Sequence, residues 1–165
     1  MKYDRSKLEG RTWSIPAKLY DFIVANVPHG VNLLELGSGY GTHMLSEYFN
    51  MYSIEEDSRF INAYESNYIH APLVDGWYDV DIVRHGLPDI YNGILIDGPV
   101  ASHGDDMARL GFYNHRNLFD LDGWLFFDDT KREYEGKLFH LIHTLFPERD
   151  VVQDVHFSII YPVVQ

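Results

Sequence analysis

Cysteine is absent from the 165 residues. That removes disulfides, thiolate metal sites and a cysteine nucleophile, and leaves the redox compartment unreported. Basic residues are scarce, 13 Lys and Arg against 25 Asp and Glu, for a net charge of −12. A chain of that sign repels a phosphate backbone unless a local basic patch overcomes the field, and none is visible, so nucleic acid is not the expected partner. No stretch approaches the roughly 18 apolar residues of a membrane span, and the opening MKYDRSKLEG lacks the apolar core of a secretory signal. The expectation is a cytoplasmic protein with no membrane partner. Repeats, low-complexity segments and linkers are missing too, which leaves one domain expected over residues 1–165. Hydrophobic residues at 45% and aromatics at 15% supply a packed core.

What is present alternates. TWSIPAKLYDFIVANV places Leu19, Phe22, Ile23 and Val27 at helical spacing behind Ser14 as N-cap and Pro16 just inside, predicting a helix over 15–26. VNLLELG reads as a buried strand, THMLSEYF as a helix, MYSIEE as a second strand, SRFINAYES as a second helix and NYIHAPL as a short third strand. YNGILIDG is a fourth strand, DDMARLGFYNHRNLF a helix, GWLFFDD a fifth strand and REYEGKLFHLIHTLF a helix, before two β-rich runs in DVVQDVHFSIIYPVV. Such alternation predicts an α/β, doubly wound sheet of seven strands, mostly parallel with a C-terminal antiparallel hairpin. Its ligand belongs beyond the carboxyl ends of the strands, where their order reverses.

The first strand leaves through LLELGSGYGT, with Gly37, Gly39 and Gly41 at alternate positions and Glu35 just upstream. A dinucleotide loop wants G-x-G-x-x-G, and a P-loop wants Gly-Lys-Ser/Thr. Neither spacing is here, and an acid at the mouth of the loop suits a cationic ligand better than a pyrophosphate. The next strand ends in Glu55 and Glu56. Glu55 lies 18 residues after Gly37, the interval that one strand–turn–helix–strand unit demands.

Glu35-Leu36-Gly37-Ser38-Gly39-Tyr40-Gly41 resembles the first motif of class I S-adenosylmethionine-dependent methyltransferases. The resemblance covers nearly the whole chain, the terminal hairpin included. It implies that Gly37, Ser38, Gly39 and Gly41 leave bare backbone for the methionyl part of S-adenosylmethionine and that Glu35 helps to orient its ammonium group. It also implies Glu55 on the ribose hydroxyls, with Glu56 as second choice.

Methyl transfer from a sulfonium is an in-line displacement, so the acceptor must be aligned, shielded from water and, for a hydroxyl, deprotonated. The ends of strands four and five, LIDGPVASHGDD and FFDDTKRE, bring Asp97, Asp128 and Asp129 to that region. Three such carboxylates raise one another's pKa unless a cation sits among them, and oxygen-only ligation favours magnesium, manganese or calcium. The pattern is similar to that of metal-dependent O-methyltransferases of the catechol and sugar types. The alternative is structural: Asp97 before Gly98-Pro99 forms turns, and Asp129-Thr130 can cap a helix.

His103 lies six residues after Asp97 and is the candidate general base, a surface histidine being the plainer reading. Arg109 and Arg132 can bind an anionic group of the substrate or be solvated helix residues. Trp77 and Tyr78 can stack on a flat ligand or pack in the core, and the resemblance places adenine near residues 70–73. Nucleic-acid subclasses are disfavoured: Asp97-Gly98-Pro99-Val100 replaces the Asp/Asn-Pro-Pro-aromatic motif of the amino-methylating enzymes. The expected activity is methylation of a small-molecule substrate, at oxygen, with magnesium as a candidate cofactor. A catalytically silent S-adenosylmethionine-binding module that serves a protein partner is the alternative, and a nicotinamide dehydrogenase fits the fold but not the glycine spacing. A homodimer that supplies a further pocket wall is left open.

Overall fold

In the computed structural model, residues 14–100 and 107–163 are described. The chain runs α1 (Ala17–Asn26), β1 (Asn32–Leu36), α2 (Tyr40–Leu45), β2 (Asn50–Glu55), β3 (Asn67–His70), β4 (Leu73–Val74), β5 (Trp77–Tyr78), α3 (Val80–Gly86) and β6 (Gly93–Ile96). It continues through α4 (Gly111–Asn114), β7 (Trp124–Asp128), α5 (Glu133–His143), β8 (Val151–Gln153) and β9 (Phe157–Ile160). Seven strands form one sheet in the order β3-β2-β1-β6-β7-β9-β8. β3, β2, β1, β6 and β7 pair in parallel, whereas β9 is antiparallel to β7 and to β8. This is the expected α/β doubly wound sheet with its antiparallel terminal hairpin.

Side-chain parity in the strands builds the two layers. Leu34 and Leu36 of β1, Ile94 and Ile96 of β6, and Leu125 and Phe127 of β7 face α3, α4 and α5, packing with Val83, Phe112, Leu138, Phe139 and Ile142. Their neighbours Leu33, Leu95 and Phe126 face the other way, onto Leu19 and Ile23 of α1 and Met44 and Leu45 of α2. Both faces of the central strands are dry, which is why these strands are unbroken apolar runs rather than alternating ones. Among the described residues, no helix is long and apolar enough to cross a membrane.

Four local expectations are corrected. Ser14 does not cap α1; its hydroxyl donates to the Ile15 carbonyl, and Pro16, with φ −58°, is the residue that leads into the helix. Residues 58–66 form turns instead of a helix, because the Asp57 carboxylate accepts from the Arg59 amide and guanidinium and Asn62 adopts φ 61°. The helix expected over 105–119 is, from residue 107 on, α4 flanked by 3-10 turns at Ala108–Leu110 and Arg116–Leu118. The third strand ends at His70; Asp75 (φ 52°) and Gly76 (φ 80°) then turn a hairpin of β4 and β5, and Asp79 caps α3 by accepting from the Asp81 and Ile82 amides.

Candidate active site

The carboxyl ends of β2, β1, β6 and β7 lie side by side, and Gly37, Ser38, Glu55, Glu56, Asp97, Asp128 and Asp129 are at or next to them. The glycine turn leaves β1 with Gly37 at φ 87°, its amide donating to the Ile54 carbonyl over 2.8 Å. A Cβ on Gly37 would stand 3.4 Å from the Gly98 backbone, and one on Gly98 only 2.8 Å from the Gly37 nitrogen and 2.4 Å from the Tyr78 hydroxyl. The exits of β1 and β6 therefore touch backbone to backbone, at the point where strand order reverses. Gly98 precedes Pro99 through a cis peptide.

Glu35 lies below this turn, on the α1/α2 side of the sheet. Its Oε1 accepts from Thr42 Oγ1 and Ser53 Oγ, each at 2.6 Å, and Thr42 Oγ1 in turn accepts from the Gly39 amide at 2.9 Å. One carboxylate thus joins β1, β2 and α2 and shapes the glycine loop from beneath. Burial raises its pKa to about 8, against the opposing effect of the two hydroxyl donors. Gly41 lies in the first turn of α2, packed on Ile15.

Glu55 is buried, with both oxygens engaged: Oε2 accepts from Ser38 Oγ at 2.7 Å and Oε1 from the Asp57 amide at 2.9 Å. Glu56 Oε1 accepts from the Val100 amide at 3.3 Å, while its Oε2 is buried without a partner. Glu56 follows β2 and Val100 follows β6, with β1 between them, so this bond reaches across the mouth of the glycine turn. Burial, and then the nearby Glu55, push the Glu56 pKa upward.

Asp97, Asp128 and Asp129 come together: each offers an oxygen within 4.8 Å of the others. Asp129 follows β7 in a left-handed conformation (φ 60°), its amide donating to Asp128 Oδ1. Sequence reasoning did not foresee the cation already there. Arg109, only 6% exposed, lays Nη2 3.1 Å from Asp97 Oδ1 and Nη1 3.5 Å from Asp129 Oδ2, with Nε 3.9 Å from Glu135 of α5. Arg132 reaches the same Asp129 oxygen at 3.0 Å. Arg109 is thus turned inward and is not free for a substrate anion. Its signal in the sequence was its position as the sole Lys or Arg between Asp97 and Asp129 other than Arg116.

Even with these guanidinium groups, burial keeps Asp97 above the usual carboxylate range despite Arg109, and burial together with the Asp97 and Asp129 charges does the same to Asp128. The all-oxygen donor set of Asp97, Asp128 and Asp129 fits a hard divalent cation.

Trp77 and Tyr78 belong to the core: Trp77 stacks on His115 with ring centroids 6.0 Å apart, and neither side chain offers an open stacking platform. His70 lines a surface cleft of about 530 Å³ with Tyr68, Ile69 and residues of α3. His103 lies outside the described residues.

No family model and no curated protein matches the chain. Solved structures do. The methyltransferase MycE of the mycinamycin biosynthetic pathway, solved in complex with Mg, SAH and mycinamycin VI, superposes with a TM-score of 0.60 at 16% identity over 98% of this chain and 55% of its own. A TehB-like SAM-dependent methyltransferase from Corynebacterium glutamicum ATCC 13032 gives 0.52 at 14% identity, covering 95% of this chain and 91% of its own. The METTL16 MTase domain gives 0.59 at 12%, covering 97% and 77%. The chain spans about half the length of MycE and nearly all of the TehB-like protein. With seven strands in this order and the terminal hairpin, the chain has the class I S-adenosylmethionine-dependent methyltransferase fold.

Proposed function

We propose that the chain is an S-adenosylmethionine-dependent methyltransferase that acts on a small-molecule acceptor, at oxygen. The observation that carries this reading is the junction of the Gly37 and Gly98 turns, flanked on one side by Glu55 and Glu56 and on the other by the cluster of Asp97, Asp128 and Asp129. Bare backbone at that junction admits the methionyl part of the cofactor, with Ser38 and Gly39 carrying the loop over it, Gly41 letting the first turn of α2 pack on Ile15 behind it, and Glu35 holding the loop's shape from below. Glu55 and Glu56 supply acceptors for ribose. The acid cluster then faces the region where the sulfonium methyl and the incoming nucleophile must meet.

An in-line displacement needs alignment, water exclusion and loss of the acceptor's proton. Asp97 and the pair Asp128/Asp129 orient the acceptor hydroxyl, and His103 is the proposed base because imidazole titrates near neutrality. A divalent metal held by the three aspartates would lower the pKa of an oxygen bound to it. MycE, solved with Mg, supports that assignment by analogy of fold. The alternative, a cofactor-binding module without turnover, draws on the engagement of Arg109 with the acids, which already supplies them a cation.

The test is calorimetric titration with S-adenosylhomocysteine, in magnesium and then in chelator, for the wild type and Glu55→Ala. Saturable binding that the substitution weakens tenfold or more supports the cofactor assignment, and a magnesium dependence supports the metal. No binding in either buffer overturns the methyltransferase reading. Binding without turnover across an acceptor panel favours the silent module.

A further inference from the structure

Tyr78 carries a hydroxyl that is buried and has no hydrogen-bond partner, on a side chain only 1% exposed. Such a group is destabilising, and in a native protein it calls for a reason. Its position is specific: the hydroxyl lies against Gly98, at the contact between the turns that leave β1 and β6, and a single Cβ on Gly98 would stand 2.4 Å from it. The β4–β5 hairpin is the device that delivers it there, since Tyr78 ends β5 and the ring reaches back across the sheet ends.

A matching orphan sits nearby. Glu56 Oε2 is buried without a partner, and the other oxygen of the same carboxyl accepts from the Val100 amide, two residues beyond the Gly98 that the Tyr78 hydroxyl lies against. One group is a donor without an acceptor and the other an acceptor without a donor, and they are not bonded to each other. What satisfies both at once is a group that accepts from one side and donates to the other, and a hydroxyl does this. Glu55, by contrast, already has both oxygens engaged by Ser38 and the Asp57 amide.

We propose that Tyr78 is a ligand-binding residue whose hydroxyl, paired with Glu56 Oε2, receives a sugar hydroxyl of the bound nucleoside cofactor. The inference rests on the methyltransferase reading. A buried water bridging the two groups is the competing occupant.

The deciding experiment measures S-adenosylhomocysteine binding and ligand-free melting temperature for the wild type, Tyr78→Phe, Glu56→Gln and the double variant. Phenylalanine keeps the packing and removes only the orphan hydroxyl. The expected result is a 5- to 30-fold loss of affinity in Tyr78→Phe with a ligand-free melting temperature equal to or above that of the wild type, and a loss in the double variant smaller than the product of the two single losses. Unchanged affinity in Tyr78→Phe, or losses that simply multiply, overturns the pairing and leaves water or mere burial as the account. A wild type that fails to bind defeats the methyltransferase reading itself, which separates the two failures. Should a variant melt far below the wild type, 3′-deoxy-S-adenosylhomocysteine and 2′-deoxy-S-adenosylhomocysteine on the wild type decide instead. Full affinity for both overturns the proposal.

Discussion

Glu35 carries the most direct consequence of burial at a single residue. In the unfolded chain its carboxyl titrates near 4.5, and in the fold near 8. Between those values the native state holds the proton more tightly than the unfolded state, so stability falls as pH rises across that window. Glu35→Gln removes the ionisation and keeps an oxygen for the Thr42 and Ser53 hydroxyls, which both donate to one oxygen of the carboxyl. The stability of Glu35→Gln relative to the wild type is therefore expected to improve by about 2 to 4 kcal/mol between pH 5 and pH 8. Urea unfolding at both pH values measures it, and a pH-independent difference would contradict the buried, proton-holding carboxyl.

The residues of the site were legible to unequal degrees for reasons visible in their surroundings. Asp97, Asp128 and Asp129 could be brought together from sequence because each ends a strand whose apolar run is plain, and adjacent parallel strands end side by side. Arg109 could not. It lies in an irregular 3-10 turn, and only the tertiary fold shows that the turn packs over the ends of β6 and β7. Tyr78 was hidden for a different reason: an aromatic residue among many reads as core, and its ring is core; only the end of its side chain is chemically exceptional.

At the level of elements, the seven strands of the main sheet were read correctly apart from the end of the third, the β4–β5 hairpin was missed, and the helices fared less well. Buried parallel strands are continuous apolar runs of fixed length, which few other structures imitate. SRFINAYES has passable helical spacing, but Asp57 draws the Arg59 amide into a local turn and Asn62 takes a left-handed conformation that ends any helix there. Residues 80–86 went unassigned because α3 is only two turns long and buries just Val83 fully. The terminal hairpin is held by a feature that its own β-rich pattern does not announce. Arg149, 6% exposed, donates from Nε to the Tyr161 carbonyl after β9, from Nη1 to Leu121 at 2.6 Å and from Nη2 to Gly123, both ahead of β7. Its ring neighbour is Phe146, 5.0 Å away. Removing the guanidinium strands three half-buried carbonyls at the junction of β7, β8 and β9. Arg149→Ala should lose about 3 kcal/mol or more, and Arg149→Lys should recover only part, since an ammonium cannot span the same carbonyls from a planar fork. Denaturant midpoints compare the three proteins; a loss below about 1 kcal/mol would show that the hairpin does not depend on this anchor.

For the molecule as a whole, a net charge of −12 on 165 residues means that repulsion opposes compaction everywhere, while the acids at the ends of β6 and β7 add a concentrated local share. The two contributions respond differently to cations. General repulsion is screened by any salt, with a Debye length of about 10 Å at 0.1 M. A site built from Asp97, Asp128 and Asp129 responds to a hard divalent ion in proportion to RT ln(1 + [L]/Kd), beyond ionic strength. Raising sodium chloride from about 20 to 300 mM should therefore lift the melting temperature by a few degrees in every variant. Magnesium chloride at matched ionic strength should add a further increment in the wild type, and Asp128→Asn should lose that increment while keeping the sodium response. The comparison is made within each protein, so any change that the substitution makes to baseline stability cancels. Equal responses to the two salts in the wild type would mean that Arg109 and Arg132 satisfy the cluster by themselves, and the acids would then serve the reaction as oriented carboxylates without a metal.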